Sequence, residues 1–443
     1  MTRIRCRPTC AVCPRTGDGA DGAIGSQRIE CWRSSASRLD IKLTPSAAAL
    51  ALILCGCIGG GPLPAAAATT SPAPEGTATP PSITAARGLP SQVPQTLARA
   101  AVVGSQPLTG PGRIDFVGVH WRGAGAGGSV RFRRDGEWTA WQPLHAGELH
   151  PPGRVASELL AAGHATTYQV RMRSRASDVR AVAINTTDGP RETAPASPVT
   201  ALAVRGLGLS LPGSRSSGAC YLSRARWGAD ESLRLDAQGI EVWPATFSAA
   251  QRLTIHHTVT DPATEAGETD PAAIVRAIYR YHAVDLGFGD IGYQLLVDQQ
   301  GCVYEGRYSG PDGLPVYDVP TSPGRPQAVT AGHTFGYNVG NVGIALLGNF
   351  NELEPSRAAL RSLTATLAVL ATVSGLDPKG YGTYVNPVNG ATKDSYVISG
   401  HRDYLATECP GENLYARLVE LREQVSSLVR PDNWADLLAR AEL

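Results

Sequence analysis

The chain is 443 residues long, with 42% hydrophobic and 18% charged side chains, and 40 basic against 39 acidic groups leave a formal net charge of +1. That length exceeds one ordinary core and predicts more than one domain. The balanced charge offers no basic excess to recruit nucleic acid, which drops out as a partner.

Six of the nine cysteines, Cys6, Cys10, Cys13, Cys31, Cys55 and Cys57, fall before position 60. The spacing CRPTCAVC resembles a zinc knuckle, but no second His or Cys pair follows at a finger-like distance. From Lys42 a basic residue precedes an apolar run, Ala47 to Ile58, and then small residues. This is signal-peptide grammar, too short to span a bilayer comfortably, so residues 1–61 are expected to be a leader and the protein secreted or cell-surface. LCGC also resembles a lipoprotein box, which makes Cys57 a candidate lipid anchor; cleavage near Ala65 to Ala68 is the competing expectation. Residues 62–105, rich in Pro, Ala and Thr, bury too little apolar surface to offset ordering entropy and read as a disordered linker.

Across 106–190 short segments such as RIDFVGVHW and TYQVRMRS alternate apolar and polar residues between Gly, Asp and Asn turns. Asp135-Gly136 is a hairpin signal. The pattern predicts a β-sandwich-like accessory domain without a catalytic constellation. His120, His145, His150 and His164 are scattered surface or strand-edge residues, and Trp121, Trp138 and Trp141 suit core packing better than a glycan platform.

A second linker, 191–217, precedes an α/β region at 218–432 and a tail at 433–443. RLTIHHT reads as a strand. Asp270-Pro271 starts a helix with Ile274, Ile278 and Tyr281 on one face. A helix from Ser356 carries Leu360, Leu363, Leu367 and Leu370, and another after Asn413 carries Leu414, Leu418, Leu421 and Val425. Nearly all-apolar strands with helices between them predict a central mixed sheet flanked by helices.

His256 or His257, with His401 and Cys409, makes two imidazoles and a thiolate, a zinc donor set with one position open. An open position suits a catalytic metal, because zinc brings the pKa of its water to roughly 7. The two adjacent histidines alternate across the strand, so only one faces the site; His257 shares a side with Leu253 and Ile255.

Five motifs stand in order: LSRARWGAD (222–230), IHHT (255–258), FGDIGYQLLVDQQGCVYEGR (288–307), AGHTFGYNVGNVGIALLGNF (331–350) and SGHRDYLATECPG (399–411). Together they resemble the peptidoglycan recognition proteins and phage-lysozyme-type zinc N-acetylmuramoyl-L-alanine amidases, over roughly 220–428. The resemblance implies His256, His401 and Cys409 as Zn2+ ligands and Tyr293 as a catalytic hydroxyl facing the attacking water and the scissile carbonyl. Thr407 matches a position that helps hold the oxyanion. His333 and Asn338 are expected to line the groove for glycan and stem peptide, with His257 beside them. The implied partner is peptidoglycan and the expected state a monomer. Family members lacking the cysteine or the tyrosine bind without cutting; both are present, although Phe288 stands where many relatives have Trp. Cys220 and Cys302, the other two cysteines in the body of the chain, are a candidate disulfide in an exported protein.

Overall fold

The computed structural model describes residues 92–123, 127–144, 146–147, 153–173, 175–193, 220–260, 270–311, 315–318 and 324–429. The expected leader, Cys57, most of both linkers, His145, His150 and the tail lie outside the described residues. No described helix is long and apolar enough to cross a membrane.

The first half is all β. A short ladder pairs β1 (Gln92–Pro94) with β10 (Arg191–Thr193). Between them lie β2 (Leu97–Val102), β3 (Leu108–Arg122), β4 (Gly128–Arg134), β5 (Glu137–Trp138), β6 (Gln142–Leu144), β7 (Val155–Ala156), β8 (Leu160–Met172) and β9 (Ser177–Asn185). These eight form one antiparallel sheet in the order β2-β9-β3-β8-β4-β5, with β6 beside β4 and β7 beside β3. The expected two-sheet sandwich is thus a single hydrogen-bonded sheet. Asp135 and Gly136 form the β4–β5 turn, both with positive φ (49° and 86°).

Two linker expectations need correction. Residues 92–102 are strands, and so are 191–193. The segment LARAAV shows no clear alternation; its order comes from pairing with β9, from Leu97↔Asn185 to Val102↔Arg180.

Register shifts around Ile114 change which face of β3 each residue serves. Ile114, Val117, Val119 and Trp121 pack with Phe132 and Tyr168 in a core internal to this sheet. Phe116 joins Val182 and Ile184 in a different core, shared with the second half of the chain. Trp138 and Trp141 stay near the surface, flanking the Arg131 guanidinium at 4.5 and 4.7 Å.

The second half is built on a six-stranded mixed sheet, order β11-β15-β14-β17-β13-β20. Its strands are β11 (Tyr221–Leu222), β13 (Arg252–His257), β14 (Leu295–Val297), β15 (Val303–Glu305), β17 (Asn341–Leu346) and β20 (Ile398–Gly400). Every neighbouring pair is parallel except β14–β15. Central strands β13 and β17 are buried at every residue, as expected for parallel strands covered on both faces.

Short helix α1 (Arg224–Trp227) follows β11, and α2 (Pro271–Arg280) starts where Asp270 caps the Ala272 amide at 3.1 Å with Pro271 in the first turn. Helix α3 (Arg357–Ser374) is capped by Ser356, whose Oγ accepts from the Ala359 amide at 3.0 Å. After it come α4 (Glu412–Tyr415) and α5 (Leu418–Leu428). Leu363, Leu367 and Leu370 of α3 and Leu421 of α5 cover one face of the sheet. Ile274 and Ile278 of α2 cover the other, sandwiched against Phe116, Val182 and Ile184 of the eight-stranded sheet.

Strands β12 (Phe247–Ser248) and β16 (Ala328–Val329) pair at the periphery. The segment around TYVNPVNGATKD is a hairpin of β18 (Tyr381–Val385) and β19 (Thr392–Tyr396). Cys220 and Cys302 are bonded to each other, tying the chain ahead of β11 to the residue ahead of its neighbour β15.

Candidate functional site

The C-terminal ends of adjacent parallel strands deliver the key side chains. His256 lies near the end of β13, and His401 directly follows β20, which pairs with β13 through Leu253↔Ile398 to Ile255↔Gly400. The chain then returns through 402–408 to bring Cys409 back. One candidate ligand atom from each of His256, His401 and Cys409 lies within 4.8 Å of the others, and all three residues are buried. Cys409 Sγ is 3.6 Å from His256 Nδ1 and accepts the His257 amide at 3.4 Å. A buried thiolate that receives a backbone N–H is stabilised as a ligand.

The parity expected for the two histidines is the observed one. His256 faces Tyr293, with ring centroids 5.3 Å apart, whereas His257 faces Phe350, stacked at 6.4 Å. His257 Nδ1 accepts the Phe350 amide at 3.4 Å. Its expected place in the substrate groove is therefore corrected: it is buried on the opposite face of β13.

His333 is corrected too. It is fully buried beneath His256 and does not line a groove. Its Nε2 lies 3.0 Å from the Asn341 carbonyl, and its Nδ1 lies 3.0 Å from His256 Nε2. Burial, with His256 adjacent, pushes its pKa well below the usual histidine value, so the ring is neutral. A carbonyl can only accept, so the His333 proton sits on Nε2. Its Nδ1 is then an acceptor, facing both the Thr334 hydroxyl at 2.9 Å and His256 Nε2, which can donate to it. With His256 donating from Nε2, its Nδ1 is bare and lies toward Cys409, the form a metal ligand requires. Gly343 makes room for this: a Cβ there would meet the His333 ring at 2.5 Å.

Asn338 is partly exposed, and its Oδ1 closes a turn by accepting the amides of His333 and Thr334 at 3.0 and 2.7 Å. Thr407 Oγ1 accepts the Cys409 amide at 3.1 Å and so shapes the returning loop.

Tyr293 is held by a buried ionic network. Asp290, three residues earlier, receives Arg224 at 3.0 Å and Arg307 at 2.7 Å, and accepts the amides of Ile291 and Tyr308. Burial alone would raise the Asp290 pKa, but Arg224 and Arg307 outweigh it and hold the carboxyl below its usual range. The motifs containing Arg224 and Arg307 thus act as one clamp under the turn that carries Tyr293.

Sequence reasoning missed the residues on the far side of Tyr293. His282 stands 5.8 Å ring to ring from Tyr293, and a small hollow with room for about one water lies there. Thr258, Thr260 and His282 line it together with Ser157, Glu158 and Leu159 of the eight-stranded sheet. Burial pushes His282 down to about 3, so it is a neutral ring, and its Nδ1 accepts the Gly292 amide at 3.1 Å. In the sequence His282 merely continues the apolar face of α2. Only the reversal after a π turn (Tyr281–Asp285) brings it against Tyr293.

A family model described as N-acetylmuramoyl-L-alanine amidase matches residues 246–412. The N-acetylmuramoyl-L-alanine amidase of Homo sapiens is 32% identical over 163 residues, 37% of this chain and 23% of that protein. This chain thus spans about a quarter of the human protein's length. Peptidoglycan-recognition protein SA of Drosophila melanogaster is 30% identical over 197 residues, 44% of this chain and 75% of that protein. The solved structure of the Drosophila SA protein aligns at 25% identity over 45% of this chain and 90% of its own, with a TM-score of 0.31. With three quarters of such a relative matched at this identity, and the buried two-histidine, one-cysteine cluster inside the matched region, the chain belongs to the peptidoglycan recognition protein and N-acetylmuramoyl-L-alanine amidase family.

Proposed function

We propose that this protein is an exported zinc amidase that hydrolyses the bond between N-acetylmuramic acid and L-alanine in peptidoglycan. The observation that carries this is the cluster itself: His256, His401 and Cys409 place their ligand atoms within 4.8 Å of one another. Two imidazoles and a thiolate suit zinc and leave one coordination position for chemistry. When bound there, zinc supplies a Lewis acid and an acidified water.

The protein's own groups do the rest. His333 holds the His256 tautomer, and the His257 amide supports the Cys409 thiolate. The Tyr293 phenol, fixed by the Asp290 clamp, directs its hydroxyl toward the attacking water and the amide. The Thr407 hydroxyl donates to the carbonyl oxygen as it gains charge. Burial of the cluster excludes bulk water and strengthens each of these interactions.

The test is digestion of purified cell walls by the full chain, with and without chelator, beside Cys409→Ala. The expected outcome is release of L-alanine-terminated peptides by the wild type, and neither cleavage nor stoichiometric zinc in the variant. Undiminished cleavage by Cys409→Ala would sink the assignment. Wall binding without cleavage by the zinc-loaded wild type would make this a recognition module instead.

A further inference from the structure

We propose that Arg402 is the positioning residue that seats the Cys409 thiol beside His401: its guanidinium spans the carbonyls of Glu408 and Cys409 and closes the loop that returns the chain to the cluster. The proposal rests on the metal reading above and names what holds the third donor in place.

The three donors arrive by different routes. His256 lies within β13 and His401 directly follows β20, so sheet register places both. Cys409 comes back through a stretch of turns and bends with no strand among its residues, in which Ala406 and Glu408 are exposed. Such a stretch takes no order from a ladder, and fixing it costs backbone entropy unless other contacts cross it.

Arg402 crosses it. Its amide donates to Cys409 O at 3.0 Å, and its Nε reaches the same oxygen at 3.4 Å. Its Nη2 donates to Glu408 O, and its Nη1 lies 2.7 Å from Glu412 Oε2. One planar fork thus takes two successive carbonyls, a geometry that a point-charge amine does not reproduce. Thr407 holds the Cys409 amide while Arg402 holds its carbonyl, so the ligand's backbone is gripped at both ends.

The fork is itself aligned. It lies over the Tyr415 ring at 4.7 Å. The Tyr415 hydroxyl donates to Asp403 Oδ1 at 2.6 Å, and Asp403 Oδ2 accepts the Gly400 amide at 2.8 Å. That ties the platform to the end of β20, one residue before His401. The packing is close: a Cβ at Gly400 would meet the Tyr415 ring at 2.8 Å and Pro410 Cδ at 2.9 Å. Glu412 is exposed, and an ion pair of that kind contributes little, so the two carbonyl contacts carry the effect.

The experiment is carried out on the full chain with two readouts. One is zinc affinity by competition with a chelator. The other is the thiolate-to-cobalt charge-transfer absorption after cobalt exchange, with Cys409→Ala as its baseline. Arg402→Ala should lose about tenfold in zinc affinity and show a weakened band at saturating cobalt; the loss is partial because the backbone bond to Cys409 O remains. Arg402→Lys keeps the charge without the fork and should lie close to Arg402→Ala. Glu412→Gln removes only the exposed partner and should match the wild type. Wild-type affinity and band in both Arg402 variants overturn the proposal, even where thermal stability falls, and so does an equal loss in Glu412→Gln. If the wild type itself shows no band above Cys409→Ala, the metal reading falls and the proposal with it.

Discussion

Adjacent parallel strands deliver His256 and His401 to one place, whereas two different sheets must dock before the cleft at Tyr293 has both its walls. The cluster depends on register within one sheet: β13 and β20 pair over three residues, and His256 and His401 stand at their ends. The cleft depends on Tyr281 and Thr260 holding the 157–159 segment. The cluster and the cleft therefore rest on separate structural supports. Loosening the docked sheet should leave metal affinity intact, and loosening the tautomer lock should leave the docking intact.

The largest expected effect tests what the two regions share. Asp290→Ala leaves Arg307 as an uncompensated buried charge and takes one of the two carboxylates paired with Arg224, and should cost about 3–5 kcal/mol of stability, read from denaturant unfolding. It should also impair both metal and peptide binding, because the clamp supports Tyr293, which stands between them. A loss confined to one of the two would show that the clamp belongs to that region alone.

Next comes His333→Ala, which removes the acceptor for His256 Nε2–H. Metal affinity should fall about 10–100-fold, measured by competition with a chelator, with peptide affinity unchanged. Unchanged metal affinity would mean that His256 keeps its tautomer without this partner.

A pH effect belongs to the cleft side. Burial raises the Asp285 carboxyl to about 6, with Arg280 opposing. Its folded pKa lies above the unfolded value near 4, so the folded state holds the proton more tightly. Stability should decline as pH rises from about 4 to about 6. Asp285→Asn should flatten that window and raise stability at neutral pH by about 1–2 kcal/mol, seen in thermal unfolding across pH.

The smallest effect is expected from Tyr281→Phe, which deletes the hydroxyl that reaches Val119 O and Ser157 O. It should cost about 1 kcal/mol. It should leave metal affinity untouched; a change in metal affinity would break the separation of cluster from cleft.

Much of the α/β half is legible in the chain's local patterns. The helix at Pro271, the helix from Ser356, the apolar strands and the face parity of His256 and His257 all follow from periodicity and capping. The roles of His333 and His257 do not. A histidine in a motif looks the same whether it lines a groove or braces a ligand from behind, and burial decides between the two. The strand at Leu97–Val102 is hidden because LARAAV carries no alternation of its own and gains order only from β9.

The candidate donor types are legible in the sequence, because two imidazoles and a thiolate have the same coordination chemistry wherever the chain places them, while the choice of His256 over His257 rests on the family resemblance. The period of each helix and strand is legible too, because side-chain spacing within an element is local geometry. Which proton His256 carries is a tertiary matter, since it depends on a carbonyl at Asn341 acting through His333. The meeting of Leu159 with the cleft of Tyr293 is another, since those residues come together only where two sheets share a core across Ile274 and Ile278.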